Sequence, residues 1–221
     1  MEGMDMRKWV SVLSLILSAI QTLLGQPAPA VVPLPDYEVY ATLINQLAFN
    51  RLERLPILSN RTARPIFIDE YTTALSSPGF NVDFNDLRSR SFPHSKIDSL
   101  LKHTEWTTFI ASADQAQFSR CRLEKIPSLP SYEARLWTAA FEERYFGKKA
   151  TRPGFFGLRA DYPEFAGIIS LSRVAYSPDG QKAICYFSKV TDGEAGEGSL
   201  VFVERIAGRW KVVGLLTLWI S

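Results

Sequence analysis

Few residues in this chain have the types and spacing that chemistry requires. His94 and His103 are the only histidines, nine apart in a polar stretch. A zinc site needs three or four ligands at tight local spacing, and neither histidine has a cysteine near it. Both are expected to be ordinary exposed side chains, with no metal bound. No Gly-x-Ser-x-Gly elbow supports a serine nucleophile. Gly193, Gly196 and Gly198 resemble a phosphate cradle in spacing. A true cradle follows a strand and opens a helix, whereas these glycines run into the apolar segment 199–206, so a hairpin loop is expected. Glu133, Glu142, Glu143, Asp161 and Glu164 carry acid–base chemistry in principle, but nothing in the sequence pairs them. The reading therefore assigns no catalytic residue, no cofactor and no metal ligand.

Arg173 and the two cysteines remain. Arg173 falls in phase with Ile169 and Leu171 on a face that should be apolar. A buried guanidinium needs a partner charge or hydrogen bonds. An internal ion pair to a helix carboxylate is the first expectation, and a site for an anionic ligand is the second. Cys121 and Cys185 are an even pair, and in an oxidising compartment they are candidates for one disulfide. The competing expectation is two buried reduced thiols acting as small apolar residues.

The elements that must hold these residues come from composition and periodicity. The chain has 221 residues, 46 % of them apolar, enough for a core of ordinary size. Lys and Arg number 25 against 23 Asp and Glu. Such a balance gives no electrostatic case for nucleic acid, and the basic residues read as interspersed with acids on a solvated surface. Asp36 is placed as the N-cap of a helix whose stripe is Tyr37, Tyr40, Ile44, Leu47 and Ala48. Residues 54–59 read as an edge strand because Pro56 has no N–H to donate. Asn60-Arg61-Thr62 matches the glycosylation acceptor pattern. Residues 62–110 are the least legible: 76–79 a turn, Asp83 or Asn85 capping one short helix, and Ser95 another that carries Ile97, Leu100 and Leu101. Residues 117–126 look strand-like. A helix is expected over 131–146, with Tyr132, Leu136, Trp137, Ala140, Phe141 and Tyr145 as its stripe, and then a long loop at Gly147, Pro153, Gly154 and Gly157.

Four β-type segments close the chain, at 168–176, 182–188, 199–206 and 209–220. No helix separates them, so an antiparallel meander is expected, since parallel neighbours need long crossovers. The expected fold class is α+β: N-terminal helices packed on a C-terminal antiparallel four-strand meander.

The N-terminus has three parts. Arg7 and Lys8 precede an apolar run over 9–24, and Gly25, Pro27, Ala28, Pro29 and Ala30 follow it. This is the pattern of a secretory signal, and the run is short for a transmembrane helix. The expected organisation is a signal segment at 1–30, a linker at 31–35 and a single domain at 36–221. The location is exported, periplasmic or extracellular, with membrane contact only through the signal segment if it stays uncleaved.

The C-terminal block carries a resemblance. Tyr162-Pro163, the segment 167–174, Ser177-Pro178-Asp179-Gly180, Gly196-Glu197-Gly198-Ser199, the segment 208–213 and the closing Leu218-Trp219-Ile220-Ser221 together resemble a family of exported bacterial proteins with no assigned biochemical role. The strand at 208–213 also resembles the last strand of cone-shaped NTF2-like domains. The first resemblance implies export and a bacterial source but no activity. The functional expectation is a non-catalytic domain that binds or interacts; a small-molecule pocket between helices and sheet, or an unrecognised hydrolase, are the alternatives.

Overall fold

The computed structural model describes residues 30–48, 64–74, 97, 99–113 and 119–221. Expectations for the N-terminal segment through Pro29, the strand at 54–59, Asn60, the turn at 76–79, Asp83, Asn85, His94 and Ser95 lie outside the described residues. Described here is the compact unit Val31–Ser221.

Strands dominate because the apolar residues of the last third alternate rather than recur at helical spacing. β5 (Lys182–Asp192), β6 (Ala195–Ile206) and β7 (Arg209–Ile220) are joined by short turns. In the last turn Ala207 and Gly208 both have positive φ, the twist that two-residue hairpins favour. Ahead of them come β3 (Ile168–Leu171) and β4 (Ala175–Tyr176). Both pair antiparallel with β5.

The α+β class is as expected, but the sheet is larger and mixed. Two further strands, β1 (Arg64–Asp69) and β2 (Tyr132–Trp137), give seven in the order β2-β1-β3-β5-β6-β7, with β4 also on β5. β1 runs parallel to both β2 and β3. The four-strand meander is thus corrected to a seven-stranded mixed sheet. Parallel partners are far apart in sequence, so no local turn signal announces them.

Three other expectations are corrected. Residues 132–137 form an edge strand, not the first turns of a helix. The same residues also alternate, with Glu133 and Arg135 on one face forming an ion pair. Only after Thr138 does the chain become helical, as α3 (Ala139–Phe146), followed by α4 (Gly154–Asp161) inside the expected loop. The segment 117–126 forms no strand among its described residues; Arg122 makes isolated bridges to Val31 and Tyr71. The stretch 31–35 is not a loose linker. Val32 is buried and donates its N–H to Arg122 O, and helix α1 begins already at Leu34 (Leu34–Leu47). Pro33 and Pro35 suit a helix start because their missing N–H would be unpaired there anyway. Asp36 therefore sits in the first turn and is no cap.

Helices cover both faces of the sheet. α1 lays Tyr37, Tyr40, Leu43 and Ile44 on the face that presents Ile66, Ile68, Cys185, Val201 and Trp210. Helix α2 (Thr104–Ser112) packs Trp106, Phe109 and Ile110 against Ile184, Tyr186, Leu200 and Phe202, which alternate with the first set and face the other way. On that second face α3 and α4 close a third cluster around Phe67, with Trp137, Tyr145, Leu158 and Phe165. Aromatic edges meet there, Phe67–Trp137 at 5.4 Å and Phe67–Tyr162 at 5.1 Å between ring centres. Trp210 of β7 belongs to the first of these clusters and is 7 % exposed.

Candidate functional site

Arg173 is held by a carboxylate of α1. The backbone leaves the ladder between β3 and β4, and Arg173 Nε donates to Asp36 Oδ2 at 2.8 Å. The same oxygen accepts Val174 N–H at 3.2 Å. Asp36 is 1 % exposed, so a charged pair ties the first turn of α1 to the sheet. Ser172 makes the break possible, because its Oγ accepts Tyr186 N–H at 2.8 Å where the ladder is interrupted. Tyr40 OH donates to Ser172 O at 2.8 Å, and burial pushes the Tyr40 phenol far above its usual range. Asp36 Oδ1 and Tyr176 OH have no hydrogen-bond partner among the described residues. The tyrosine is near enough that, after burial, the Asp36 charge is the next cause raising its pKa.

The cysteines flank the same break. Cys121 Sγ lies 3.6 Å from Arg173 Nη1, and Cys185 Sγ lies 3.5 Å from Ser172 O. Both are buried free thiols. Burial, before any other cause, pushes the Cys185 thiol up to about 12, so it stays protonated and unreactive at neutral pH. His103 precedes α2, is exposed, and its carbonyl accepts the N–H of Trp106 and Thr107. Among the described residues no group of three His, Cys, Asp or Glu side chains converges on a metal position.

The glycines at 196 and 198 have a use that their spacing did not suggest. A Cβ on Gly198 would lie 2.1 Å from Trp219 Nε1, and one on Gly196 would lie 3.0 Å from the Trp219 ring. They let the indole of β7 lie down on β6, where Trp219 Nε1 donates to Tyr186 OH at 2.9 Å.

That contact ends a row of polar residues crossing the sheet on the α2-bearing face. Trp137 of β2 pairs with Asp69 of β1. Ile68 pairs with Ile169, which sets Asp69 beside Ser170 of β3. Ser170 then pairs with Ser188 of β5, Ser188 with Gly198 of β6, and Gly198 with Trp219 of β7. At strand spacing the row is about 24 Å long. It separates the Phe67 cluster beneath α3 and α4 from the Trp106 cluster beneath α2. Small side chains occupy its middle and a tryptophan stands at each end; Ser188, Gly198 and Trp137 are buried, and Asp69, Ser170 and Trp219 are partly exposed.

Asp69 is the chemically distinctive member. Burial raises its pKa to about 6; a Ser170 hydrogen bond opposes that rise, and the Glu142 charge adds to it. Glu142, in the first turn of α3, accepts Trp137 Nε1 at 2.7 Å. Sequence alone left Glu142 unpaired; the fold brings it to Asp69. Two other candidate carboxylates are held elsewhere, Asp161 by Tyr145 OH at 2.7 Å and by Arg144, and Glu133 by Arg135. Asp69 itself was missed. Its one signal, a carboxylate closing the apolar run Ile66-Phe67-Ile68, lies in the stretch where periodicity is weakest. The arrangement can accept hydrogen bonds at Asp69, exchange a proton near neutral pH, and stack an apolar ring face on Trp219.

No family model, no curated protein and no solved structure matches this chain.

Proposed function

We propose that this is an exported domain that binds a ligand without transforming it, and that the transverse polar row is where the ligand lies. The observation that carries the reading is Asp69: a half-buried carboxyl hydrogen-bonded by Ser170, beside the Glu142 carboxylate, with burial raising its pKa to about 6. Carboxyls perturbed by burial and a neighbouring charge cluster at functional sites. The ligand this chemistry fits is a small donor-rich molecule, a polyol or an amine, with one apolar face for Trp219. Donors meet Asp69 and Glu142, and acceptors meet Ser170. The residues over 1–30 support export, and the resemblance of the C-terminal block supports a bacterial origin.

Thermal-shift screening of the purified protein against neutral sugars, polyols and amines tests the site. At least one class should raise the melting temperature, and Asp69→Asn should abolish that rise while the variant stays folded. A rise that survives Asp69→Asn and Trp219→Ala would place binding elsewhere. Turnover of any ester, glycoside or phosphate that is lost on Asp69→Asn would replace the binding reading with an enzymatic one. N-terminal sequencing of the exported product tests the location, and an intact Met1 in a cytosolic fraction would overturn it.

A further inference from the structure

The hairpin between α3 and α4 breaks the charge pattern of the rest of the chain. From 144 to 159 there are five cations, Arg144, Lys148, Lys149, Arg152 and Arg159, and no acid. The whole protein is nearly balanced and Glu142, Glu143 and Asp161 flank the run, so the positive field is confined to the tip that carries Lys148, Lys149 and Arg152. Two cations are held: Arg144 by Asp161 at 2.6 Å, and Arg159 by Thr191 O at 2.9 Å. Lys148, Lys149 and Arg152 are exposed and form no ion pair among the described residues.

The same hairpin exposes aromatic rings. Phe156 is 77 % exposed and Phe146 is 40 % exposed. Phe146 meets Phe155 edge-on at 5.2 Å, which brings the end of α3 to the start of α4 and puts both rings on the tip that carries the lysines. The tip is also built to be tight. A Cβ on Gly157 would fall 2.0 Å from Arg152 O, so the loop folds back on α4 and keeps Arg152 beside the helix. Between the helices lies a cleft of about 220 Å³ lined by Arg144, Thr151, Arg152 and Asp161. Among the described residues no helix is long and apolar enough to cross a membrane.

We propose that this hairpin docks the domain on an anionic membrane surface, with Phe156 entering the interface and Lys148, Lys149 and Arg152 on the lipid headgroups. Charge complementarity selects the partner, and the solvent-facing phenylalanine distinguishes a lipid surface from a purely charged polymer. Basic residues near an anionic leaflet and an aromatic side chain at its interface each add to binding. The inference is independent of the polar row on the sheet.

Vesicle co-sedimentation of the full chain tests it, on neutral phosphatidylcholine and on phosphatidylcholine with three-tenths phosphatidylglycerol. The apolar N-terminal segment is common to all variants, so the ratio of anionic to neutral partition reads the hairpin. Wild type should prefer anionic vesicles and lose that preference as salt rises. Lys148→Ala with Lys149→Ala should lower anionic binding about thirtyfold. Phe156→Ser should lower it about tenfold or more and keep its salt dependence. These side chains are exposed, so all variants should melt with the wild type. An anionic preference unchanged in the double-lysine variant would overturn the proposal. So would binding to heparin or an acidic peptide that exceeds vesicle binding and ignores Phe156→Ser.

Discussion

Asp69→Asn removes a charge and keeps the shape, so it isolates what that charge costs. The carboxyl ordinarily titrates near 3.8 and titrates near 6 in the fold. The folded state therefore holds its proton more tightly than the unfolded chain does. The stabilisation this gives is fully present below the unfolded pKa and is lost as pH rises through the folded one. At 1.36 kcal/mol per pH unit the loss totals about 3 kcal/mol. Residual wetting trims it, so about 2–3 kcal/mol is expected, most of it between pH about 4 and about 6. Asparagine still offers an oxygen to Ser170 but has no charge to desolvate. Urea unfolding of both proteins at pH about 4 and about 7.5 measures the difference. The variant should gain about 2 kcal/mol on wild type between the two conditions. A gap that is the same at both pH values would show that Asp69 does not titrate as its burial demands, and the site would lose its distinctive group. A donor-rich ligand favours the ionised form, so its affinity should rise as pH passes upward through about 6.

Arg173→Met leaves Asp36 charged and buried, and should cost about 3–5 kcal/mol by urea melt; adding Asp36→Leu should recover most of that. Equal losses in the single and double variants would mean the pair matters only as packing. Gly198→Ala pushes the Trp219 indole off β6 and should cost about 1–3 kcal/mol with a red-shifted tryptophan emission. Gly193→Ala, with nothing within 4 Å of the added carbon, should change stability by less than about 0.5 kcal/mol. Thiol titration of the unreduced protein should count no reactive thiol when native and two after denaturation. A count of zero after denaturation would show that Cys121 and Cys185 are bridged.

The strand character of the last third was legible from residues alone, for physical reasons. Alternation from 182 to 220, punctuated by Asp179-Gly180 and Ala207-Gly208, is decided by neighbours in the chain. The stripe of α1 was equally local, and Tyr37, Tyr40 and Ile44 are buried as their spacing requires. Segment 132–137 was ambiguous because its apolar residues satisfy both periods, and only pairing with β1 resolves it. A parallel partner some seventy residues away leaves no mark on local pattern. The polar row belongs to tertiary structure altogether. Trp137, Asp69, Ser170, Ser188, Gly198 and Trp219 come from six strands and meet only through register. Residue type could say that Asp69 is a carboxylic acid. Burial between two apolar clusters, and Glu142 brought to it by α3, decide that its proton is held near neutral pH.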